Sequence, residues 1–126
     1  MCIRDSGSEI IRIGQAKGLR LEEIFHLDPD VIALAGTGDH NALRVYDENR
    51  LASIAKPGGG EHRPSMGQDI FKGRRTEIEF MNGMVVAEGK KLGIDAPANA
   101  AITELVKKVE RKEIKPDPAH IVGLRI

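Results

Sequence analysis

Helix start and stop signals recur at short intervals along this chain, and they restrict the folds open to it. Asp28 followed by Pro29 is an N-cap residue followed by the residue favoured at the first helical position, and Asp39 is a second N-cap. Glycines suited to ending a helix follow at Gly18, Gly36, Gly73 and Gly93. Aromatic residues make up only 3% of the chain, so the core must be aliphatic, which suits helix packing better than a β-sandwich. Together these features predict an all-α domain.

The spacing of apolar residues places helices between these signals. A partial stripe over residues 8–17 consists of Ile10, Ile11, Ile13 and Ala16. Residues 29–35 and 39–54 form the next two predicted helices, and the inner side of the second carries Leu43, Val45 or Tyr46, and Leu51. Residues 19–27 are amphipathic but short, and they fit either a loop or a helix turn. A last helix begins at Pro97, with Ala98, Ile102, Leu105, Val106 and Val109 facing inward.

Polar residues and helix boundaries are concentrated in one stretch, residues 63–82, which reads RPSMGQDIFKGRRTEIEFMN. The pattern predicts a short helix that ends near Gly73, followed by a longer helix. Thr76 and Glu79 form a T-x-x-E capping box, in which each side chain pairs with a backbone N–H that the helix start leaves free. The longer helix then runs to Gly93, with an inner face formed by Ile78, Met81, Val85 and Leu92.

A short helix followed by a turn brings Ser65 and Glu77 to the same cleft, although they lie twelve positions apart. One neutral hydroxyl and one carboxylate facing a cleft are a plausible way to hold a small polar substrate. The alternative is that these residues, with Asp69 and Asn82, are helix caps and solvated surface, which is the usual role of polar residues at helix ends.

Two glycine-rich segments resemble nucleotide loops and are interpreted otherwise. In VIALAGTGDHN, residues 31–41, Asn41 stands where a dinucleotide-binding turn needs its third glycine, and the Asp28–Pro29 start favours a helix. In KPGGGEHR, residues 56–63, no Gly-Lys-Ser/Thr follows the glycines, so a phosphate loop is excluded. The second segment is predicted to be a hinge, because consecutive glycines leave the backbone very free.

Charge and composition exclude several classes of function. The chain carries 19 basic and 19 acidic residues, so no net field attracts nucleic acid or an anionic membrane. No apolar run approaches the roughly 20 residues that span a bilayer, and the location expected by default is cytoplasmic. The four histidines, His26, His40, His62 and His120, lack the clustered spacing of a metal site. For His62, three residues before Ser65, a pocket-lining role stands beside that of an ordinary surface histidine.

The first residues, MCIRDS, match no structural pattern and resemble a translated sequencing-adapter tail. Residues 1–7 are therefore expected to be non-native, and the chain is expected to be a fragment whose upstream part is missing. Residues 8–112 form the predicted helical domain. Residues 113–126, which contain Pro116 and Pro118, are predicted to be an irregular tail.

The order of motifs in the second half resembles a known family. These motifs are S-M-x-x-D with T-E-I-x-x-x-N-G within residues 65–83, and L-G-I-x-x-P-x-N within residues 92–99. They are similar to the C-terminal domain of the ketopantoate reductases, the NADPH-dependent 2-dehydropantoate 2-reductases. The likeness is strong over residues 63–110 and weak before them.

The resemblance implies a two-domain oxidoreductase, in which a Rossmann domain binds NADPH and a bundle-like helical domain closes over the substrate. Such enzymes reduce ketopantoate to pantoate in pantothenate and coenzyme A biosynthesis. On this basis Glu77 is the active-site glutamate that helps to bind and orient the substrate, and Ser65 is the substrate-binding serine. Asp69 and Asn82 match the motif but are expected to hold helices in place.

The resemblance also implies what this chain does not carry. The nucleotide-binding domain and the general-acid lysine belong upstream of Ser8, and neither Lys17 nor Lys56 occupies the matching position. NADPH would thus be bound mainly by the absent domain, and the fragment alone is expected to be inactive.

Three departures from the family pattern affect the expected substrate. His62 replaces a substrate-facing asparagine, Pro64 a common second serine and Gly67 an apolar residue.

There are two alternatives to a ketopantoate reductase. One is the helical domain of a related 2-keto acid or imine reductase. The other is a stand-alone dimerisation or interaction domain without catalysis, with a partner surface formed by Ile78, Met81 and Val85. A homodimer is compatible both with a ketopantoate reductase and with a related 2-keto acid or imine reductase.

Overall fold

The computed structural model of the chain describes residues 3–55 and 64–124. Seven helices lie in these ranges: α1 (Ile3–Ala16), α2 (Pro29–Gly36), α3 (His40–Ile54), α4 (Ser65–Phe71), α5 (Asn82–Leu92), α6 (Pro97–Glu110) and α7 (Ala119–Val122). The described residues contain no β-strand, only an isolated bridge between Ile24 and Leu27. The prediction of an all-α fold is confirmed.

The chain divides into two compact units, Ile3–His62 and Arg63–Ile126. The single helical domain predicted for residues 8–112 stays a prediction beside this division. The boundary between the two units lies near the end of segment 56–63. The hinge predicted for this segment lies outside the described residues. Helix α1 begins at Ile3, and whether residues 1–7 are native stays a prediction.

The first unit is built around α2, which packs against both α1 and α3. The caps predicted for both of its later helices are confirmed, since Asp28 Oδ1 accepts from the Asp30 N–H at 2.8 Å and Asp39 Oδ1 from the Ala42 N–H at 2.9 Å. The buried core consists of Ile11, Leu27, Ile32, Ala35, Ala42 and Tyr46. The predicted inner face of α3 is partly wrong. Leu51 is 68% exposed, because the face toward α2 is the one that carries Ala42 and Tyr46.

Helices α1 and α2 approach very closely at Ser8 and Gly36. The Ser8 hydroxyl donates a hydrogen bond to the Ala33 carbonyl oxygen at 2.9 Å. A Cβ atom on Gly36 would lie only 2.1 Å from the Cβ of Ser8. Gly36 is therefore required by packing, in addition to ending α2 as the sequence predicts.

Residues 19–27, which the sequence leaves open between loop and helix, form a loop with a tight turn. Ile24 and Leu27 exchange two backbone hydrogen bonds of 3.0 Å across this turn. Its central residues, Phe25 and His26, both have positive φ, at 52° and 62°. The Asn49 side chain of α3 donates to the Phe25 carbonyl oxygen at 3.1 Å and so ties the turn to the helix.

The second unit confirms the short helix α4 and the turn at Gly73, whose φ is +66°. It also confirms the left-handed C-cap at Gly93. The longer helix, however, begins at Asn82 and not at Thr76, so six residues predicted as helix form a non-helical segment.

The inner face predicted for this region is half right. Ile78 is fully buried and Val85 is 9% exposed, whereas Met81 and Leu92 are 48% and 41% exposed. Since residue 78 lies in the non-helical segment, the four residues do not share one helix face. The tail predicted as irregular contains the four-residue helix α7.

Candidate functional site

The two residues selected from the sequence are in contact. Ser65 is the first residue of α4, after Pro64, and its exposed hydroxyl donates a hydrogen bond to Glu77 Oε1 at 3.1 Å. The predicted juxtaposition of Ser65 and Glu77 is therefore found. The pair lies at an open surface: an apolar cavity of about 370 Å³ in this unit, lined by Met66, Leu105 and Val109 among others, includes neither residue.

Glu77 lies in the segment of residues 76–81, hereafter the site turn. The carbonyl oxygen of Glu77 accepts hydrogen bonds from the N–H groups of Phe80 and Met81, at 2.9 and 3.1 Å. The Gly83 N–H donates a hydrogen bond to the Ile78 carbonyl oxygen at 3.0 Å, which closes a wider loop. Met81 has φ −101° and ψ −93°, outside the helical range, and so separates the site turn from α5.

The capping box predicted from Thr76 and Glu79 does not form. The Thr76 N–H donates instead to Glu110 Oε1 of α6 at 2.6 Å, and Thr76 Oγ1 accepts from the Ile78 N–H at 3.3 Å. The Thr76 N–H thus donates to a carboxylate that lies 34 positions away in the sequence. The T-x-x-E pattern is present in the sequence, but the Thr76 N–H that the capping box needs is already bonded to Glu110.

The second member of the predicted box is also engaged elsewhere. Glu79 Oε1 accepts from Lys107 Nζ of α6 at 2.8 Å, and its other carboxylate oxygen pairs with Arg75. Hydrogen bonding to Lys107, followed by that to Arg75, lowers the pKa of Glu79 below its ordinary value of 4.5. Glu79 therefore links the site turn to α6 through its charge.

The remaining polar residues of the motif hold helices in place, as the sequence predicts. Asp69 Oδ1 accepts two hydrogen bonds from Arg74, at 2.8 Å from Nε and 2.5 Å from Nη2, and these brace the turn at Gly73. The Asn82 side chain donates to Oδ1 of the fully buried Asn99 at 2.8 Å, which joins the start of α5 to α6.

The residues of α6 that contact the site turn and the start of α5 were not among the predicted site residues. Asn99, Lys107 and Glu110 are separated by eight and three positions, and Thr103 lies between the first two. Residues three or four apart share one helix face. The sequence signal for these residues was a polar stripe at this spacing. It lies on a helix that is also expected to face apolar residues inward. We name Asn99, Thr103, Lys107 and Glu110 the α6 polar stripe.

The arrangement offers a hydroxyl and a carboxylate to a ligand from solvent. The carboxylate can accept a hydrogen bond from a hydroxyl or ammonium group, and the serine can donate or accept. His62, the third candidate, lies outside the described residues. Within residues 3–55 and 64–124 no group of three or more His, Cys, Asp or Glu side chains is placed to hold a metal ion. None of the helices in those ranges is long and apolar enough to cross a membrane.

Comparisons with known proteins agree on one family. Residues 1–110 match the family model described as the ketopantoate reductase PanE/ApbA C terminal. A protein of Archaeoglobus fulgidus named 2-dehydropantoate 2-reductase is 48% identical over 88 residues, which are 68% of this chain and 30% of that protein. Proteins of the same name from Aquifex aeolicus and Streptococcus pyogenes are 48% and 52% identical over 59 and 103 residues.

These two matches cover 47% and 81% of this chain, and 19% and 26% of the relatives. The chain therefore spans less than a third of the length of these curated relatives. No solved structure matches it significantly.

Proposed function

The chain belongs to the family of ketopantoate reductase C-terminal domains, and we propose on that basis that it is the substrate-binding helical domain of an NADPH-dependent 2-dehydropantoate 2-reductase. The reaction reduces the ketone of ketopantoate to the alcohol of pantoate, a step toward pantothenate and coenzyme A. A Rossmann domain elsewhere in the reductase binds NADPH, which supplies the hydride. We further propose a cytoplasmic location, where NADPH is available as a soluble reductant.

The contact between Ser65 and Glu77 is the observation that carries this proposal. In the free chain the serine donates its hydrogen to Glu77 over 3.1 Å. A substrate hydroxyl can replace the serine as donor to the Glu77 carboxylate. The Ser65 hydroxyl is then released to donate to a carboxylate or carbonyl oxygen of the same substrate. The exchange conserves hydrogen bonds and fixes the substrate at two points, which orients its ketone for reduction.

Glu77 is assigned the role of binding and orienting the substrate, and Ser65 that of a substrate ligand. His62, three residues before Ser65 in the sequence, is a third proposed contact. Protonation of the alkoxide that forms on reduction is assigned to a lysine of the complete reductase, because the resemblance places that lysine upstream of Ser8 and neither Lys17 nor Lys56 occupies its position. This chain alone is accordingly proposed to be inactive.

The test is the kinetics of Glu77→Gln and Ser65→Ala in a complete reductase that contains this chain. Each substitution is expected to lower kcat/KM by at least about tenfold, which corresponds to roughly 1.4 kcal/mol of transition-state stabilisation. Glu104→Gln is the matched control, because Glu104 is a carboxylate of the same unit that pairs with Arg111 at 2.9 Å. Unchanged kinetics in both site variants would contradict the residue assignments.

The substrate is tested separately, by profiling the complete reductase against a series of 2-keto acids and imines. Ketopantoate is expected to give the highest kcat/KM. A site that hydrogen-bonds its substrate rejects analogues that leave its polar groups unpaired. A higher value for another 2-keto acid, or for an imine, would move the assignment to the related reductases.

The interaction-domain alternative does not have the surface assigned to it. Ile78 is fully buried and Val85 is 9% exposed, so neither is available to a partner, and only Met81 of that trio is exposed. A homodimer of the complete enzyme remains part of the proposal, through other surfaces.

A further inference from the structure

We propose that Glu110 is a positioning residue, which holds the site turn in the non-helical form that presents Glu77 to Ser65. The catalytic meaning of this inference rests on the role proposed above for Glu77. The structural part does not, because it concerns a competition between two folds of residues 76–81 that can be measured in the chain itself.

The first of these folds is encoded locally. The T-x-x-E pattern would let Thr76 Oγ1 accept from the Glu79 N–H, while the Glu79 carboxylate accepts from the Thr76 N–H. Helix α5 would then begin near Thr76. Its boundary at Met81 would disappear, and Glu77 would lie in the first turn of a regular helix.

The second fold, which the structure adopts, uses each of these groups differently. The Thr76 N–H donates to Glu110, Thr76 Oγ1 accepts from the Ile78 N–H, and the Glu79 carboxylate is held by Lys107 and Arg75. Two of the four partners belong to the α6 polar stripe. The Thr76 hydroxyl thus pairs with Ile78 and the Glu79 carboxylate with Lys107 and Arg75, so neither side chain makes the bond on which the local helix start depends.

Glu110 has the most direct effect on this choice. Its 2.6 Å hydrogen bond ends on Thr76, the residue immediately before Glu77. Thr76 is 7% exposed and Glu110 is half-buried, so water competes poorly for this N–H. A hydrogen bond from a backbone N–H to an ionised carboxylate is stronger than one between neutral groups. Without it the Thr76 N–H needs another acceptor, and Glu79 is the one that the sequence provides.

A shift to the local fold would separate the site pair. Each residue of a regular helix is rotated by about 100° from the one before it. Replacing the break at Met81 by helix therefore rotates Glu77 about the axis of α5 and moves its carboxylate away from the Ser65 hydroxyl. By holding the site turn, Glu110 keeps these two groups 3.1 Å apart without touching the substrate.

The structural test is NMR of the 126-residue chain. In Glu110→Ala the Thr76 amide proton is expected to shift upfield, and the Cα shifts of residues 77–81 to move toward helical values. Adding Glu79→Ala removes the competing cap and is expected to cancel the helical change at residues 77–81. Glu104→Ala, which removes a carboxylate from the same helix, is the control and is expected to leave these signals unchanged. Turn-like Cα shifts in folded Glu110→Ala would overturn the inference.

Glu110→Gln keeps a neutral oxygen acceptor and serves if the alanine variant does not fold. It is expected to shift the Thr76 amide proton in the same direction by a smaller amount, while residues 77–81 keep their turn. A Thr76 signal identical to that of the unsubstituted chain would overturn the inference.

Kinetics of the complete reductase distinguish failure of this inference from failure of the proposed function. Glu110→Ala is expected to lower kcat/KM about tenfold, to have little further effect when Glu77→Gln is present, and to be largely rescued in Glu110→Gln. Full activity of Glu77→Gln would contradict the proposed function and leave the NMR result standing. Impaired Glu77→Gln with fully active Glu110→Ala would overturn the positioning role alone.

Discussion

The two units of the chain are held together in different ways. The first unit surrounds a continuous apolar core, from Ile11 of α1 to Tyr46 of α3. The second unit buries fewer large apolar side chains, chiefly Ile78 and Val85, and joins its segments by polar contacts. These contacts connect Thr76 with Glu110, Glu79 with Lys107, and Asn82 with Asn99.

The difference shows what each kind of contact can specify. Apolar contacts are non-directional, so they stabilise a unit without fixing the orientation of any one surface side chain. Hydrogen bonds and ion pairs have defined geometry and defined partners, so they can hold a short turn that local sequence would fold otherwise. The candidate site lies in the unit of the second kind, where the orientation of one carboxylate matters.

The largest expected effect comes from removing a core side chain of the first unit. Ile11 is 1% exposed, and Ile11→Ala is expected to destabilise the chain by about 2–5 kcal/mol, through lost burial and the cavity left behind. The adjacent Ile10 is 43% exposed, so Ile10→Ala is the matched control and should cost well under half as much. Urea denaturation measures both variants, and equal losses would contradict the assignment of this core.

A smaller effect is expected from Gly36→Ala. The added Cβ would meet Ser8 at 2.1 Å, so α1 and α2 must separate, at a cost of about 1–3 kcal/mol. Gly7→Ala is the control, because its Cβ would lie at an ordinary 3.4 Å from Ile32 and alanine favours helix. Thermal denaturation compares the two. A Gly36→Ala variant as stable as Gly7→Ala would disprove the close packing at Ser8.

The smallest effect is the acid sensitivity of the second unit. The pKa of Glu79 is lowered in the folded chain by Lys107 and Arg75, so the folded state binds its proton less readily than the unfolded state. The stabilisation is therefore present above the ordinary value of 4.5 and is lost as pH falls through the lower, folded pKa. Glu79→Gln should weaken this acid dependence.

Amide hydrogen exchange near the site turn, followed as a function of pH, measures this loss against amides of the first-unit core. Glu104→Gln should keep the dependence of the unsubstituted chain. An acid response of the site turn that is unaltered in Glu79→Gln would show that the contact with Lys107 and Arg75 contributes nothing.

The parts of the fold that were predictable are those encoded by neighbouring residues. The caps at Asp28 and Asp39 and the turns at Gly73 and Gly93 depend on groups within a few positions, and all four are found. The contact of Ser65 with Glu77 was predicted from the short helix and the turn between them, although Glu77 lies in the non-helical site turn and not in the helix start that the pattern predicts.

The parts that were not predictable depend on distant residues. Periodicity gives the apolar side of a helix but not which part of it is covered, so Leu51 and Met81 were placed inside and are exposed. The capping box at Thr76 failed because Glu110, 34 positions later, competes for the same N–H. Even the spacing of the α6 polar stripe, which was visible in the sequence, does not say which segment it meets.

The most direct test of the account is a double-mutant cycle on the site pair, with kcat/KM measured for Ser65→Ala, Glu77→Gln and the double variant of the complete reductase. If the two residues hold one substrate jointly, as their 3.1 Å contact suggests, the double variant should lose little more than the worse single variant. Losses that multiply would show that the two residues act independently, and would contradict the claim that the site turn serves to bring them together.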